Sequence, residues 1–293
     1  MVDKLAITGG THGNELTGVY LVKKWLSSPS LVKRNSFTTL PMLMNEKAID
    51  EVRRYIDCDL NRAFNLNDLL DESLTSYEAK LAKKINSILG PKGVPKPKVD
   101  FIVDLHTTTA NMGLSIVVSN ESKLTWQAIS YLCKKEPRLK VYRWQGDEED
   151  AFVDSIATHG FAIEVGAVPQ GVLRGDIFLE TETLIYHLLD FVEAHNTNTL
   201  ESLPTEIEIY THQSLVDYPR QKDGDIMAMV HPDRQDRDFA PIEDGEPLFL
   251  TFEGKIIPYE GENLHTLFIN EAAYYEKGFA MCLARKETKR IES

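Results

Sequence analysis

Residues 7–15, ITGGTHGNE, constrain the fold of this 293-residue chain more than any other stretch. A short apolar run at residues 4–8 leads into paired glycines, then His12 and Glu15, then an amphipathic segment at residues 15–26. Gly9, Gly10 and Gly13 permit backbone angles that a Cβ forbids, so the chain can turn sharply there from strand to helix. On the helical segment Leu16, Val19, Tyr20, Trp25 and Leu26 fall broadly on one face, as packing against a sheet requires. From such a turn an imidazole nitrogen and a carboxylate three residues apart can both reach one divalent cation. Such a pair also arises by chance in a chain with eight histidines and 45 acidic residues. The order of strand, glycine turn, ligands and helix gives this one its weight, and a third ligand would complete a metal site.

The same alternation continues downstream. Residues 36–44, 101–105, 114–119 and 161–165 read as strands, and residues 77–89, 124–133 and 181–194 as helices, with Gly90-Pro91 stopping the first. Strands alternating with helices predict an α/β fold with a mixed, largely parallel sheet flanked by helices. The texture changes at residues 196–204, a polar stretch ending in proline that reads as a linker. Beyond it, short strands such as residues 206–211 and 247–252 recur between turns rich in glycine, proline and aspartate. The expected division is a catalytic domain over residues 1–200 and a smaller β-rich domain over residues 201–293.

Composition narrows the function. With 32 basic and 45 acidic residues the chain carries a formal charge of −13, which repels nucleic acid and anionic membrane surfaces. The three cysteines, Cys58, Cys133 and Cys282, show no CxxC pair, and no leader or membrane-spanning run is legible. These features predict a cytoplasmic protein acting on a small molecule.

Candidate partners for His12 and Glu15 follow from strand ends. His106 comes directly after the run FIVDL, where α/β proteins gather their sites, and is the candidate third ligand or a plain strand end. Asp104, two residues earlier, shares its face of the strand and is either an orienting partner or a carboxylate satisfied by the backbone. Glu164 ends the apolar run FAIE and needs a cation, a metal or a hydrogen-bond network. Beside a water activated by a metal it reads as a general base; otherwise it is an ion-paired strand end. The segment RRYIDCDLNRAF supplies Arg53, Arg54, Asn61 and Arg62, receptors for a carboxylate or a carbonyl oxygen. Asp57 and Asp59 between them leave a surface ion-pair network as the alternative.

Five blocks in order, GGTHGNE, RYIDCDLNR, DLHTTTANMG, IEVGAVPQGVLRGD and FINEAAYYEKG, resemble aspartoacylase and the related aminoacylase III branch of the zinc-carboxypeptidase-like amidohydrolases. The resemblance implies one zinc ion per chain held by His12, Glu15 and His106. It implies Glu164 as the carboxylate that takes a proton from the attacking water and passes it to the leaving amine. Arg54 would polarise the acyl carbonyl, while Asn61, Arg62 and Tyr274 would bind the substrate's α-carboxylate. Tyr274 would come from a C-terminal domain that narrows the mouth of the site, and dimers or larger assemblies are implied as well.

One block departs from the aspartate-specific pattern. Asp154 stands where those enzymes carry an arginine before an SIA-like tripeptide, Ala151 or Phe152 falls near a tyrosine position, and Asp147, Glu148, Glu149 and Asp150 add negative charge. A carboxylate there would repel a β-carboxylate unless another cation, with Arg143 as the candidate, takes its place. The expected reaction is zinc-dependent hydrolysis of an N-acyl-L-amino acid, nominally N-acetyl-L-aspartate. N-acetyl aromatic amino acids or mercapturates are the alternative substrates, and a carboxypeptidase or desuccinylase is the alternative on the same fold. The non-enzymatic alternative is a zinc- or ligand-binding module without catalysis.

Overall fold

The apolar runs of the first 200 residues become the centre of one large sheet. A computed structural model of the chain describes residues 1–145 and 151–292. In chain order the first elements are β1 (Lys4–Gly9), α1 (Leu16–Ser27), β2 (Thr38–Leu43), α2 (Glu46–Asp50), α3 (Leu66–Leu70) and α4 (Tyr77–Leu89). They are followed by β3 (Phe101–Thr107), β4 (Gly113–Val118), α5 (Lys123–Lys135), β5 (Lys140–Arg143), β6 (His159–Gly166) and α6 (Gly175–Asn196). The remaining strands are β7 (Glu206–Val216), β8 (Ala228–Val230), β9 (Pro241–Ile242), β10 (Pro247–Thr251), β11 (Ile256–Pro258), β12 (Leu264–Leu267) and β13 (Met281–Arg290).

The sheet order is β2-β1-β3-β6-β4-β5-β7-β13-β12-β9. Strands β2, β1, β3 and β6 run parallel, β4 turns antiparallel to β6, and β5 and β7 follow β4 in parallel. All seven residues of β3 are buried, which is why that strand reads as a continuous apolar run rather than an alternating one.

Helices cover both faces. Trp25 of α1, Ile129 of α5 and Leu188 of α6 pack on Ile7, Val103 and Leu105. Ile85 and Leu89 of α4 pack with Leu60 and Phe64 on Ala6 and Ile102. Truncating one of these fully buried side chains costs about 2–5 kcal/mol. The alternation along β3 therefore sends Val103 and Leu105 to one face, and Ile102, Asp104 and His106 to the other.

Helix α4 occupies its expected residues because Ser76 caps it, accepting from the Ala79 N–H, and Gly90 ends it. Other boundaries moved. Strand β3 continues through His106 to Thr107, because β6 pairs with it residue for residue and prolongs the ladder. Helix α6 starts at Gly175, six residues before the expected start. Elements α2, α3 and β5 span too few residues to display a period.

The chain beyond residue 200 divides between the central sheet and a second one. Strands β7, β13, β12 and β9 extend the central one, while β8, β10 and β11 form a separate antiparallel sheet around Tyr218, Leu248 and Phe249. No helix among the described residues is long and apolar enough to cross a membrane.

Candidate metal and catalytic site

The turn after β1 is shaped by two glycines. Gly10 sits at φ +75°, and a Cβ on Gly13 would lie 2.1 Å from the Ala48 backbone. This close approach seats α2 against the turn, and the Met44 and Asn45 N–H groups donate to the Gly9 and Gly10 carbonyls. The fixed turn carries His12 and Glu15 toward the end of the neighbouring β3.

There His12, Glu15 and His106 converge, all buried. The Glu15 carboxylate is 2.7 Å from His12 Nδ1 and 2.9 Å from His106 Nδ1, and the two Nδ1 atoms are 3.2 Å apart. Two ring nitrogens this close, facing one carboxylate, form a pocket for a shared cation. Two imidazoles and a carboxylate are also the donor set of three-ligand zinc sites, in which a fourth position stays open. The residues present therefore fit zinc.

The outer ring nitrogens are held by two more carboxylates. His12 Nε2 lies 2.9 Å from Asp59 Oδ1, and His106 Nε2 lies 2.7 Å from Asp104 Oδ2. Asp104 in turn accepts from the hydroxyls of Thr8 and Thr11. Such partners fix the tautomer and orientation of ligand imidazoles and raise their basicity. Asp104 thus combines both readings of the sequence, satisfied by hydroxyl donors and touching His106. Asp59 was legible only as part of an ion-pair network. It does pair with Arg54, at 3.3 Å, but it also grips His12.

Burial disfavours the Glu15 carboxylate, yet the His12 and His106 imidazoles outweigh it and hold its pKa well below the usual range. For His106, burial opposes the charged form, but Asp104 and Glu15 raise its pKa well above the ordinary value. The cluster is electrostatically arranged around positive charge.

Register brings the next residue in. His106 and Glu164 are directly paired across β3 and β6. The Glu164 carboxyl has no hydrogen-bond partner among the described residues, and burial, with Glu15 and Glu271 nearby, pushes its pKa up to about 8. It faces a cavity of about 480 Å³ that His12, Glu15, Arg54, Asn61, Arg62, His106 and Tyr274 also line. His12, Glu15, Arg54, Asn61, Arg62, His106, Glu164 and Tyr274 therefore meet on one cavity, whereas Arg53 lies outside it, exposed and paired with Glu51.

Arg54 donates from Nη1 to Glu15 at 3.2 Å, and its Nε has no partner among the described residues. Asn61 Oδ1 accepts from the Val153 N–H, tying it to the block that departs from the aspartate-specific pattern. The Arg62 guanidinium sits 4.8 Å from the Phe152 ring centroid. Tyr274 is brought over the sheet by a buried carboxylate. Glu271 accepts from the hydroxyls of Thr108 and Thr109, from the Thr109 and Ala110 N–H groups, and from Ala273 N–H. This clamp fastens the turn bearing Tyr274 to the loop after β3.

Asp154 is buried in the cavity wall, where burial and the neighbouring Asp104 push its pKa up to about 7. Arg143 does not compensate it. Its Nε donates to Glu121 at 2.6 Å, outside the cavity, because it follows Tyr142 on β5 and faces the opposite side. Asp147, Glu148, Glu149 and Asp150 lie outside the described residues. His106 and Lys92 are the groups that oppose this rise at Asp154, and Lys277, exposed and unremarked in the sequence, also lines the cavity.

Toward β5 and β7 the cavity wall is aromatic. Tyr142 and Trp144, unremarked in the sequence, line it with Phe268 and Phe279. Phe152 beside Arg62 and Tyr274 near Glu164 continue the rings toward the reacting groups. Ring centroids lie 5.9 Å apart for Tyr142 and Phe268, and 5.7 Å for Phe268 and Tyr274. Tyr142 and Trp144 are more than a hundred residues from Phe268 and Phe279 in the chain, so no local pattern announced their meeting.

Residues 1–192 match the succinylglutamate desuccinylase/aspartoacylase catalytic domain, and residues 205–286 match the AstE/AspA barrel-sandwich hybrid domain. The chain is 50% identical to a probable aspartoacylase of Trichodesmium erythraeum over 99% of both chains. It is 42% identical to the human N-acyl-aromatic-L-amino acid amidohydrolase (carboxylate-forming), covering 97% of this chain and 91% of that one. The crystal structure of murine aminoacylase 3 superposes with a TM-score of 0.93 at 40% identity, covering 99% and 97% of the two chains.

Proposed function

The chain belongs to the succinylglutamate desuccinylase/aspartoacylase family, and from that premise we propose that it is a zinc-dependent hydrolase of N-acyl-L-amino acids with apolar, chiefly aromatic, side chains. Relatives named aspartoacylase and N-acyl-aromatic-L-amino acid amidohydrolase support an amidohydrolase acting on small N-acyl amino acids. The single observation that carries the choice of side chain is the ring-lined part of the cavity toward β5 and β7, along the sheet from the His12–Glu15–His106 cluster.

His12, Glu15 and His106 would hold one zinc ion per chain, with Asp59 and Asp104 orienting the imidazoles. When bound, zinc supplies Lewis acidity that polarises the acyl carbonyl and makes water a stronger acid. Glu164 accepts the proton of the attacking water and returns it to the amide nitrogen as the C–N bond breaks, leaving a carboxylate and a free amino acid. Its lack of a hydrogen-bond partner suits a group that must take up and release a proton. Arg54 stabilises the negative charge that grows on the carbonyl oxygen. Asn61, Arg62 and Tyr274 receive the α-carboxylate, which a guanidinium can grip through two hydrogen bonds. In this reading residues 1–200 supply the reacting groups, and residues 201–293 supply Tyr274 and close the mouth.

A second reading, N-acetyl-L-aspartate as substrate, is favoured by Lys277 on the cavity wall, whose ammonium could meet a side-chain carboxylate. A panel of N-acetyl-phenylalanine, N-acetyl-tyrosine, N-acetyl-aspartate, succinyl-glutamate and a dipeptide, run with metal analysis, separates these readings. The proposal expects the N-acetyl aromatic compounds to be turned over fastest by zinc-loaded protein. Turnover of the dipeptide alone would overturn it.

A further inference from the structure

Four strands along the sheet from β3, the cavity is lined by a histidine that the reaction does not use. His212 of β7 lines this end, with one polar atom already committed: Nδ1 lies 2.8 Å from the Tyr142 hydroxyl. The Trp144 ring packs against the imidazole, with centroids 4.4 Å apart and planes inclined at 35°. Among the described residues Nε2 has no partner, although the half-buried side chain borders open space.

The proton positions follow from the surroundings. Burial pushes the pKa of Tyr142 well above its ordinary value, so its phenol keeps its hydrogen. Burial lowers the pKa of His212, so its imidazole is neutral near pH 7. A ring nitrogen accepts more strongly than the nearby Cys282 sulfur, so the phenol donates to Nδ1. A neutral imidazole that accepts at Nδ1 carries its hydrogen on Nε2, and that hydrogen is a donor awaiting an acceptor.

The wall leading to it is continuous. Tyr142, Phe268 and Tyr274 follow one another as neighbouring rings, and Tyr274 interacts electrostatically with both Glu164 and Cys282. A side chain entering from the reacting amide would pass along rings and meet His212 Nε2, with the Trp144 Nε1–H, unpartnered among the described residues, packed beside it.

We propose that His212 is a specificity-determining residue whose Nε2–H donates to an oxygen at the far end of the substrate's side chain. The protein would then select phenolic over plain phenyl N-acyl amino acids. This rests on the deacylase reading above and adds a residue and a side-chain chemistry to it. Tyr142 acts through His212 by fixing its tautomer and is a positioning residue.

The test is the ratio of kcat/KM for N-acetyl-tyrosine to that for N-acetyl-phenylalanine, measured on zinc-loaded full-length protein. One net hydrogen bond gives the native protein a ratio of about five or more. His212→Phe should bring the ratio to about one. His212→Gln, which keeps an N–H donor, should retain part of the preference, and Tyr142→Phe should lower it by freeing the tautomer. These two variants keep the test open if His212→Phe does not fold. A native ratio near one with N-acetyl-phenylalanine turned over, or a ratio unchanged in His212→Phe, overturns the role of His212. If neither aromatic compound is hydrolysed while N-acetyl-aspartate is, the reading of the side-chain pocket fails and this inference with it. Hydrolysis of none of the three overturns the deacylase reading itself.

Discussion

At the β3 end of the cavity, charges are matched atom by atom; at the β5–β7 end, rings meet with few polar commitments. Around His12, Glu15 and His106 the contacts are 2.7–3.2 Å long and involve carboxylates at both nitrogens of each ring. Around Tyr142, Trp144 and Phe268 the spacings are those of packed aromatic rings, and His212 keeps a nitrogen to spare. On the proposed reading the first end serves one cation and one reaction, and the second receives the substrate's side chain. Changes at the first end should therefore remove metal or turnover for every substrate alike, whereas changes at the second should redistribute preference among substrates.

The largest expected effect comes from the cluster itself. His106→Ala removes a ligand and leaves Glu15 with one imidazole, so zinc content should collapse and activity should fall at least a hundredfold on all substrates. Metal analysis alongside an assay with two substrates checks this, and loss of activity on only one would break the contrast between the ends. Asp59→Asn weakens the grip on His12 Nε2 and on Arg54 together, and should lower zinc affinity about tenfold to a hundredfold by chelator competition.

At the other end, Trp144→Ala should leave zinc content at the native level while raising KM for N-acetyl-phenylalanine about tenfold. A loss of zinc in that variant would show that the two ends are not separable.

The smallest effect is one of stability and depends on pH. Glutamate in an unfolded chain ionises near 4.3, whereas burial raises Glu164 to about 8 in the folded chain. Between these values the folded state holds a proton that the unfolded state has released. The contribution is therefore fully favourable below about pH 4 and is lost as pH rises through 8. Metal-stripped Glu164→Gln should melt about 3 °C or more above the stripped native protein at pH 8.5, with the gap closing at pH 5. Calorimetry at the two pH values reads it.

The same contrast explains what the sequence disclosed. The metal end was legible because strand endings and a glycine turn are local patterns, and His106 and Glu164 each close an apolar run on adjacent strands. Asp104 was legible from strand alternation alone. Asp59 was ambiguous, since an aspartate between arginines reads equally well as a surface pair, and only the fold reveals its second contact on His12. The ring-lined end was not legible. Tyr142 lies on a four-residue strand, His212 on a strand of the β-rich segment, and Phe268 on a loop, and only the sheet order brings them together. The continuity of the sheet across residue 200 was hidden for the same reason, because pairing between β5 and β7 leaves no trace in either segment's own pattern.

The central claim is that Glu164 moves the proton at a site whose metal is held by other residues. It is tested most directly by measuring kcat and zinc content on one preparation of Glu164→Gln. The account expects zinc at the native stoichiometry and kcat about 10²–10⁴-fold lower. Native turnover with zinc in place would contradict it.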